Sequence, residues 1–220
     1  MILAAGRGER MRPLTDSVPK PLLRAGGKPL IVWTIERLAR CGVRSLVINH
    51  AHKGEMIEAE LGDGSSLGVS IAYSPEAQAL ETAGGIANAL PLLGEEPFIA
   101  VNSDIFCDYD FSRLAAVVPG LQLAHLVLVP NPDHNPKGDF GLEGTRVLND
   151  SPRRLTFAGI GLYRPALFAP LATGVPVRLA PVLRPAIAAL RVSGELHRGE
   201  WRDIGTPERL AALDRDLALA

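Results

Sequence analysis

The stretch Ala4-Ala5-Gly6-Arg7-Gly8-Glu9-Arg10-Met11-Arg12-Pro13-Leu14-Thr15 combines two closely spaced glycines with three arginines. It follows directly on a short apolar run. A Gly-x-Gly turn in that position lets backbone N–H groups approach an anion closely, and Arg7, Arg10 and Arg12 add positive charge. The chemistry it suits is phosphate binding, although the same turn also serves simply to turn a corner. Two familiar nucleotide loops are disfavoured. Met11 stands where a dinucleotide-binding fingerprint needs its third glycine, and no Gly-Lys-Ser/Thr follows as in a Walker A loop.

Further on, Pro19-Lys20-Pro21 clamps a lysine between two prolines, on a backbone of restricted φ. That stiffness suits a cation aimed at developing phosphate charge; it equally describes an exposed lysine in a stiff loop. Asp104 follows a strand-like run and Asp203 precedes a helix opening at Pro207. Such acids either cap turns or hold a metal, and their separation along the chain decides nothing. Gly84 and Gly85, after Thr82, would let backbone approach a planar base, or Thr82 would cap a helix start. Asn102 and Asp139 pair donors with acceptors, as sugar hydroxyls require. His50 and His52 point to one side of a strand end, but no third metal ligand is identifiable. His125, His134 and His197 form no constellation that spacing supports, and no Gly-x-Ser-x-Gly elbow offers a nucleophile.

The elements that must position these groups alternate in the α/β manner. Strands are expected at Ile2–Ala5, Ser45–Asn49, Val69–Tyr73, Phe98–Val101 and Leu123–Val129. Helices are expected from Pro29 to Cys41, Met56 to Leu61 and Thr82 to Leu90. After a Pro/Asn/His-rich loop from Pro130 to Gly138, short hairpin-like strands follow at 140–142, 146–148 and 154–156. A strand at Ile160–Tyr163, a helix at Leu179–Leu190 and a final helix capped by Thr206 complete the pattern. In such sheets ligands bind at the carboxyl ends of the strands, so the loops after Ala5, Tyr73 and Val101 are where chemistry is expected.

The 220 residues are 47% hydrophobic and 21% charged with a net charge of −1, which describes a globular protein with a substantial core and argues against nucleic-acid or anionic-membrane partners. Two cysteines, Cys41 and Cys107, cannot build a disulfide framework and fit a reducing, cytoplasmic setting. The opening apolar stretch is far too short for a signal peptide, and no run reaches transmembrane length.

Taken together, Leu3-Ala4-Ala5-Gly6-x-Gly8-x-Arg10-Met11-x-Pro13-Leu14-Thr15 and Pro19-Lys20-Pro21-Leu22 resemble the signature of the sugar-1-phosphate nucleotidylyltransferases. Leu80-Glu81-Thr82-Ala83-Gly84-Gly85 resembles that family's base-binding turn, Asn102-x-Asp104 its metal aspartate, and Trp201-x-Asp203-Ile204-Gly205-Thr206 its second. The resemblance implies a Rossmann-like, three-layer α/β fold of the nucleotidyltransferase (GT-A-like) type. A mixed sheet with a small β insert in the C-terminal half, in one domain over residues 1–220, is expected. It implies transfer of a nucleotidyl group from a nucleoside triphosphate to a sugar 1-phosphate, with release of pyrophosphate. Ala5, Gly6, Arg7, Gly8 and Lys20 would hold the triphosphate, with Arg10 at its β/γ end and Lys20 at the α-phosphate. Thr82, Gly84 and Gly85 would face the base, Asn102 and Asp139 the sugar, and Asp104 and Asp203 would hold Mg²⁺. No obligate protein partner is implied.

The segments Val47-Ile48-Asn49-His50, Glu81-Thr82, Ala124–Val129 and Gly138-Asp139-Phe140 resemble family members that pair UTP with N-acetylmuramate 1-phosphate in cell-wall recycling. GTP with mannose 1-phosphate, or CTP with another phosphorylated sugar or alcohol, is the alternative pair, and a non-catalytic nucleotide-sugar-binding paralogue a further reading. Ser103 replaces the glycine usual between Asn102 and Asp104, and Ala83 replaces a glycine of the muramate-type members. Relatives also carry a few residues before Ile2.

Overall fold

In a computed structural model that describes residues 1–117, 120 and 122–219, the strands are β1 (Ile2–Leu3), β2 (Arg24–Ala25), β3 (Lys28–Pro29), β4 (Ser45–His50), β5 (Ser70–Pro75), β6 (Phe98–Asn102), β7 (Ile105–Cys107), β8 (Ala124–Val129), β9 (Phe140–Glu143), β10 (Arg146–Leu148), β11 (Arg154–Tyr163), β12 (Val192–Leu196) and β13 (Trp201–Asp203). The α-helices are α1 (Leu14–Ser17), α2 (Leu30–Arg40), α3 (Gly54–Leu61), α4 (Glu81–Leu93), α5 (Ser112–Ala116), α6 (Leu179–Ala188) and α7 (Pro207–Ala218).

Among the described residues, nine strands form one mixed sheet in the order β5-β4-β1-β6-β11-β8-β12-β10-β9, with β9 also reaching β11. β5, β4, β1 and β6 are parallel, and β11 runs against β6. The parallel strands therefore end together. At that edge Leu3 is in register with Asn49 on one side and Asn102 on the other.

Period-two alternation sorts the buried side chains to the two faces of the sheet. β8 is the clearest case, with all six residues buried: Val127 and Val129 join one core, Ala124, Leu126 and Leu128 the other. The first core takes the apolar stripe of α2, where Ile31, Ile35 and Leu38 repeat at helical spacing and are at most 1% exposed. The second takes α4 and α6 through Ile86, Leu183 and Ile187. Helices on both faces of a mixed sheet give the expected three layers. A third, smaller core sets Met11, Leu23 and Leu30 against Phe106, Ile204, Leu210 and Leu213, docking α7 beneath the first loop.

The expected elements are present with small shifts of their ends, and two differences matter. The strands expected at 154–156 and 160–163 are one strand, β11, whose register against β8 shifts between Phe157 and Gly161. Gly159 sits there at φ 71°, and the Asn102 amide fills the space its Cβ would need, 2.6 Å from Nδ2. The irregularity thus makes room for a residue of the cleft, a common use of bulges. The second difference is a pairing with no local pattern to announce it. β13 lies antiparallel on β7 as a separate two-stranded ribbon, with Asp203 in register with Ile105.

Candidate active site

A cleft of about 470 Å³ opens at the carboxyl ends of the parallel strands. Its floor is the loop that leaves β1. Gly8 turns that loop at φ 67°, where a Cβ would stand 2.9 Å from Thr15 Cγ2 and 3.1 Å from Lys20 Cβ. Only glycine fits both that backbone and that crowding. The Gly8 carbonyl accepts from the Thr15 hydroxyl and from the Met11 N–H, each at 2.9 Å. Met11, fully buried, anchors the far end of the loop. Ala5, Gly6, Arg7, Gly8 and Arg10 all line the cleft. Arg12 does not: it pairs with Asp16 at 3.3 Å on the surface, so two of the loop's arginines face the cleft rather than three.

Lys20 opens a single 3-10 turn whose Pro21 and Leu22 are buried, so its backbone is fixed by packing as well as by proline. Its Nζ donates to the Asp104 carboxylate at the cleft wall, and both side chains are largely buried. Asp104 lies in the turn from β6 to β7, beside Asn102 and Ser103. The Ser103 N–H donates to the Leu3 carbonyl at 3.0 Å, tying that turn to β1.

Asp203 comes beside Asp104 through the β7–β13 ribbon, although Gly205 and not Asp203 lines the cleft itself. The Ile204 N–H donates to the Asp104 carbonyl at 2.8 Å, which brings the two aspartates to neighbouring backbone positions. The Asp203 carboxylate is gripped by Arg209 from the first turn of α7 and by His134, 2.9 Å away, from the loop before β9. Gly205 lines the cleft between them. A Cβ there would lie 2.9 Å from an Arg209 nitrogen, 3.1 Å from an Arg10 nitrogen and 3.3 Å from Asp203 Oδ2. Arg10, Arg209 and Asp203 therefore converge on one small gap.

Among the described residues, no group of three or more His, Cys, Asp or Glu side chains converges to hold a metal. Two hard carboxylates on adjoining backbone are nevertheless a donor set that fits Mg²⁺, which takes one or two carboxylates and completes its shell with phosphate oxygens and water. His50 is spent elsewhere, its buried ring 2.7 Å from the half-exposed Glu58 carboxylate.

Several expected site residues stand differently. Gly84 and Gly85 do not line the cleft; they are buried in α4. A Cβ at Gly84 would lie 2.3 Å from the Val175 carbonyl, and one at Gly85 would lie 2.6 Å from Asn49 Nδ2 and 2.7 Å from Glu76 Oε1. Their small size serves packing. Thr82 lines the cleft but lies inside the first turn of α4 rather than capping it; Leu80 holds the cap position. Asp139 is also withdrawn from the cleft. Its Oδ2 accepts from the Phe157 N–H at 2.8 Å and from Asn135 Nδ2 at 3.2 Å, bracing β9 against β11. Ala83 is fully buried, and its N–H donates to the Val177 carbonyl at 2.9 Å.

Gly84→Ala is expected to cost about 1–3 kcal/mol of stability through overpacking, seen as an earlier urea-unfolding midpoint. An unchanged midpoint would return Gly84 to a ligand-facing role.

Three residues that the sequence did not single out as site residues also shape the cleft. Glu81, at its rim, adopts φ 59°, a costly conformation for a residue with a Cβ, and stands 3.8 Å from Arg178. Asn49 lines the cleft while being only 2% exposed, and its Nδ2 donates to buried Glu76 at 2.6 Å. Burial pushes the Glu76 carboxyl above its usual range, against the opposing pull of hydrogen bonds from Asn49 and the Leu80 N–H.

Comparison with known proteins places this geometry in context. The nucleotidyl transferase family matches residues 1–145. An N-acetylmuramate alpha-1-phosphate uridylyltransferase of Neisseria meningitidis is 55% identical over 96% of this chain and 94% of its own length. A mannose-1-phosphate guanylyltransferase of Mycobacterium tuberculosis is 31% identical over 99% of this chain and 64% of its own. Among solved structures, a UDP-glucose pyrophosphorylase complexed with UDP-glucose superposes with a TM-score of 0.80 at 19% identity, covering 99% of this chain and 97% of that one. That likeness speaks for the fold.

Proposed function

The chain belongs to the nucleotidyl transferase family, and we propose that it transfers the uridylyl group of UTP to N-acetylmuramate 1-phosphate, with Mg²⁺. It is a nucleotidyltransferase that acts on a nucleotide and a sugar phosphate. The observation that carries the reading is one cleft, floored by a glycine turn and lined by Arg10, Lys20 and Asp104, with Asp203 on the strand beside Asp104. The 55% identity to a uridylyltransferase along nearly the whole chain supports UTP and the muramate ester over GTP and mannose 1-phosphate.

In this reading an oxygen of the sugar 1-phosphate attacks the α-phosphorus of UTP. The new P–O bond forms as the bond to the β-phosphate bridging oxygen breaks, and pyrophosphate leaves. Two anions must meet, and charge moves onto the leaving group. Catalysis is then mostly positioning and electrostatic neutralisation. The N–H groups of the Gly6–Gly8 turn and the Arg7 side chain hold the triphosphate, and Arg10 neutralises its β/γ end. Lys20, pre-aimed by its proline clamp and by Asp104, meets the α-phosphate as charge shifts in the transition state. Asp104 and Asp203 would hold Mg²⁺. When bound, the cation supplies further neutralisation of phosphate charge. Thr82 and the rim of α4 face the nucleoside, and Asn102 faces the sugar.

No described helix is long and apolar enough to cross a membrane. The two cysteines are unpaired, which suits the reducing cytoplasm where cell-wall recycling would supply the sugar phosphate. The test is pyrophosphate release with Mg²⁺, crossing UTP, GTP, CTP and dTTP with the 1-phosphates of N-acetylmuramate, mannose and glucose. Release is expected with UTP and the muramate ester. Release with a different pair would overturn the substrate assignment, and silence throughout would overturn catalysis.

A further inference from the structure

We propose that Asn49 and Glu76 form a strap of fixed hydrogen-bond polarity that sets the spacing between the phosphate loop and the opening turn of α4, making them positioning residues for the nucleotide. The inference rests on the functional reading above for its ligand, and on geometry for the strap itself.

The strap is continuous. The Ala4 N–H donates to Asn49 Oδ1 at 3.0 Å, Asn49 Nδ2 donates to Glu76 Oε1 at 2.6 Å, and the Leu80 N–H donates to Glu76 Oε2 at 2.8 Å. The Glu76 N–H in turn donates to the His50 carbonyl at 2.8 Å, fastening the middle of the strap to the end of β4. Asn49 is 2% exposed and Glu76 7%, so water offers little substitute for a lost bond. Each end abuts the cleft. Ala4 precedes Ala5 and Gly6 of the phosphate loop, and Leu80 precedes Glu81 and Thr82. A nucleotide with its phosphates on the loop and its base at α4 spans both ends.

Each bond in this chain has a fixed donor and a fixed acceptor, and that makes it testable. Both backbone ends are N–H donors, so the two side chains must together offer one acceptor to each end and one donor–acceptor contact between themselves. Asparagine at 49 with an ionised carboxylate at 76 does so. Aspartate at 49 with glutamine at 76 would do so equally. Neither single exchange does. In E76Q one amide nitrogen must face another donor, and in N49D two carboxylate oxygens face each other at hydrogen-bond distance. A mismatched buried polar group costs about 1–3 kcal/mol, or roughly a tenfold effect or more.

The experiment compares wild type, N49D, E76Q and the double exchange. Amide hydrogen exchange at Ala4 and Leu80 reads the strap without any ligand; calorimetry reads UTP, and inorganic tripolyphosphate as a probe of the phosphate loop alone. Each single variant is expected to speed exchange at both amides and weaken UTP by about tenfold or more, leaving tripolyphosphate within about twofold. The double exchange is expected to restore both amide protection and UTP affinity. Should N49D fail to fold, E76Q and the double exchange decide the matter.

Singles with wild-type protection, or a double exchange no better than the singles, would overturn the strap. Equal loss of tripolyphosphate and UTP would reduce it to general support of the fold. Restored protection without restored UTP affinity would mean that Glu76 touches the nucleotide itself. A wild-type protein that binds no nucleoside triphosphate would overturn the functional reading instead, while the amides still report the strap.

Discussion

Lys20→Ala is expected to lower turnover by about 10²–10³-fold while leaving the fold in place. The size follows from what the ammonium does. Charge migrates from the α-phosphate toward the leaving pyrophosphate, and a largely buried cation aimed there acts more strongly in the transition state than in the ground state. Stability should barely change, because Pro21 and Leu22 hold the local backbone by burial whatever side chain stands at 20. Loss of the contact to Asp104 leaves that carboxylate partly exposed to water rather than sealed away, so the folded state tolerates it. Lys20→Arg should recover only part of the rate, since a planar guanidinium does not reproduce a compact point charge. Single-turnover kinetics beside thermal melting separates the two effects. Turnover within about threefold of wild type in Lys20→Ala, against the expected loss, would remove Lys20 from the chemistry.

Asp104→Asn carries the second large effect, a fall of about 10²-fold or more in turnover together with a higher Mg²⁺ requirement. Asparagine keeps shape and removes charge. Asp104 has two tasks in this account: it holds Lys20 and it would hold the cation. The metal titration tells them apart, since a residue that only orients Lys20 would leave the Mg²⁺ midpoint where it was. Asp203→Asn should raise the Mg²⁺ requirement with a smaller fall in maximal turnover. Its carboxylate already answers to Arg209 and His134, which stay in place to hold the ribbon's end. Mg²⁺ titrations that match wild type in both variants would return both aspartates to structural duty.

Much of this architecture was legible in local patterns. The β-branched runs that end at Asn49 and Asn102 mark parallel strands, and the loops at their carboxyl ends do hold the cleft. Gly6, Gly8 and Lys20 could be singled out because a strained turn and a proline clamp leave traces in a few adjacent residues. What escaped was whatever depends on a distant partner. β7 and β13 are three residues each and pair across nearly half the chain, so no periodicity betrays them. β11 read as two strands because Gly159 interrupts the alternation; the reason for the interruption, the Asn102 amide, lies in another strand.

Glycines and acids were the harder cases. A glycine says only that something comes close: at Gly8 it is the neighbouring turn, at Gly84 the Val175 carbonyl, at Gly205 a cluster of charged groups. Asp139 resembles a sugar-binding acid in sequence, yet in the fold it braces two strands. Asn49 and Glu76 carry no motif that spacing could reveal, because they meet only once the ends of β4 and β5 are side by side. Glu81 is a further case: its φ of 59° shows only in the fold, and nothing in the residue type announces it.

The most direct test follows the α-phosphorus itself. UTP labelled at the α-phosphate, incubated with Mg²⁺ and N-acetylmuramate 1-phosphate, should deliver its label to the UDP-sugar while unlabelled pyrophosphate appears in equal amount. Label recovered in UDP or UMP with no labelled sugar product, or no turnover at all, would contradict nucleotidyl transfer at this cleft.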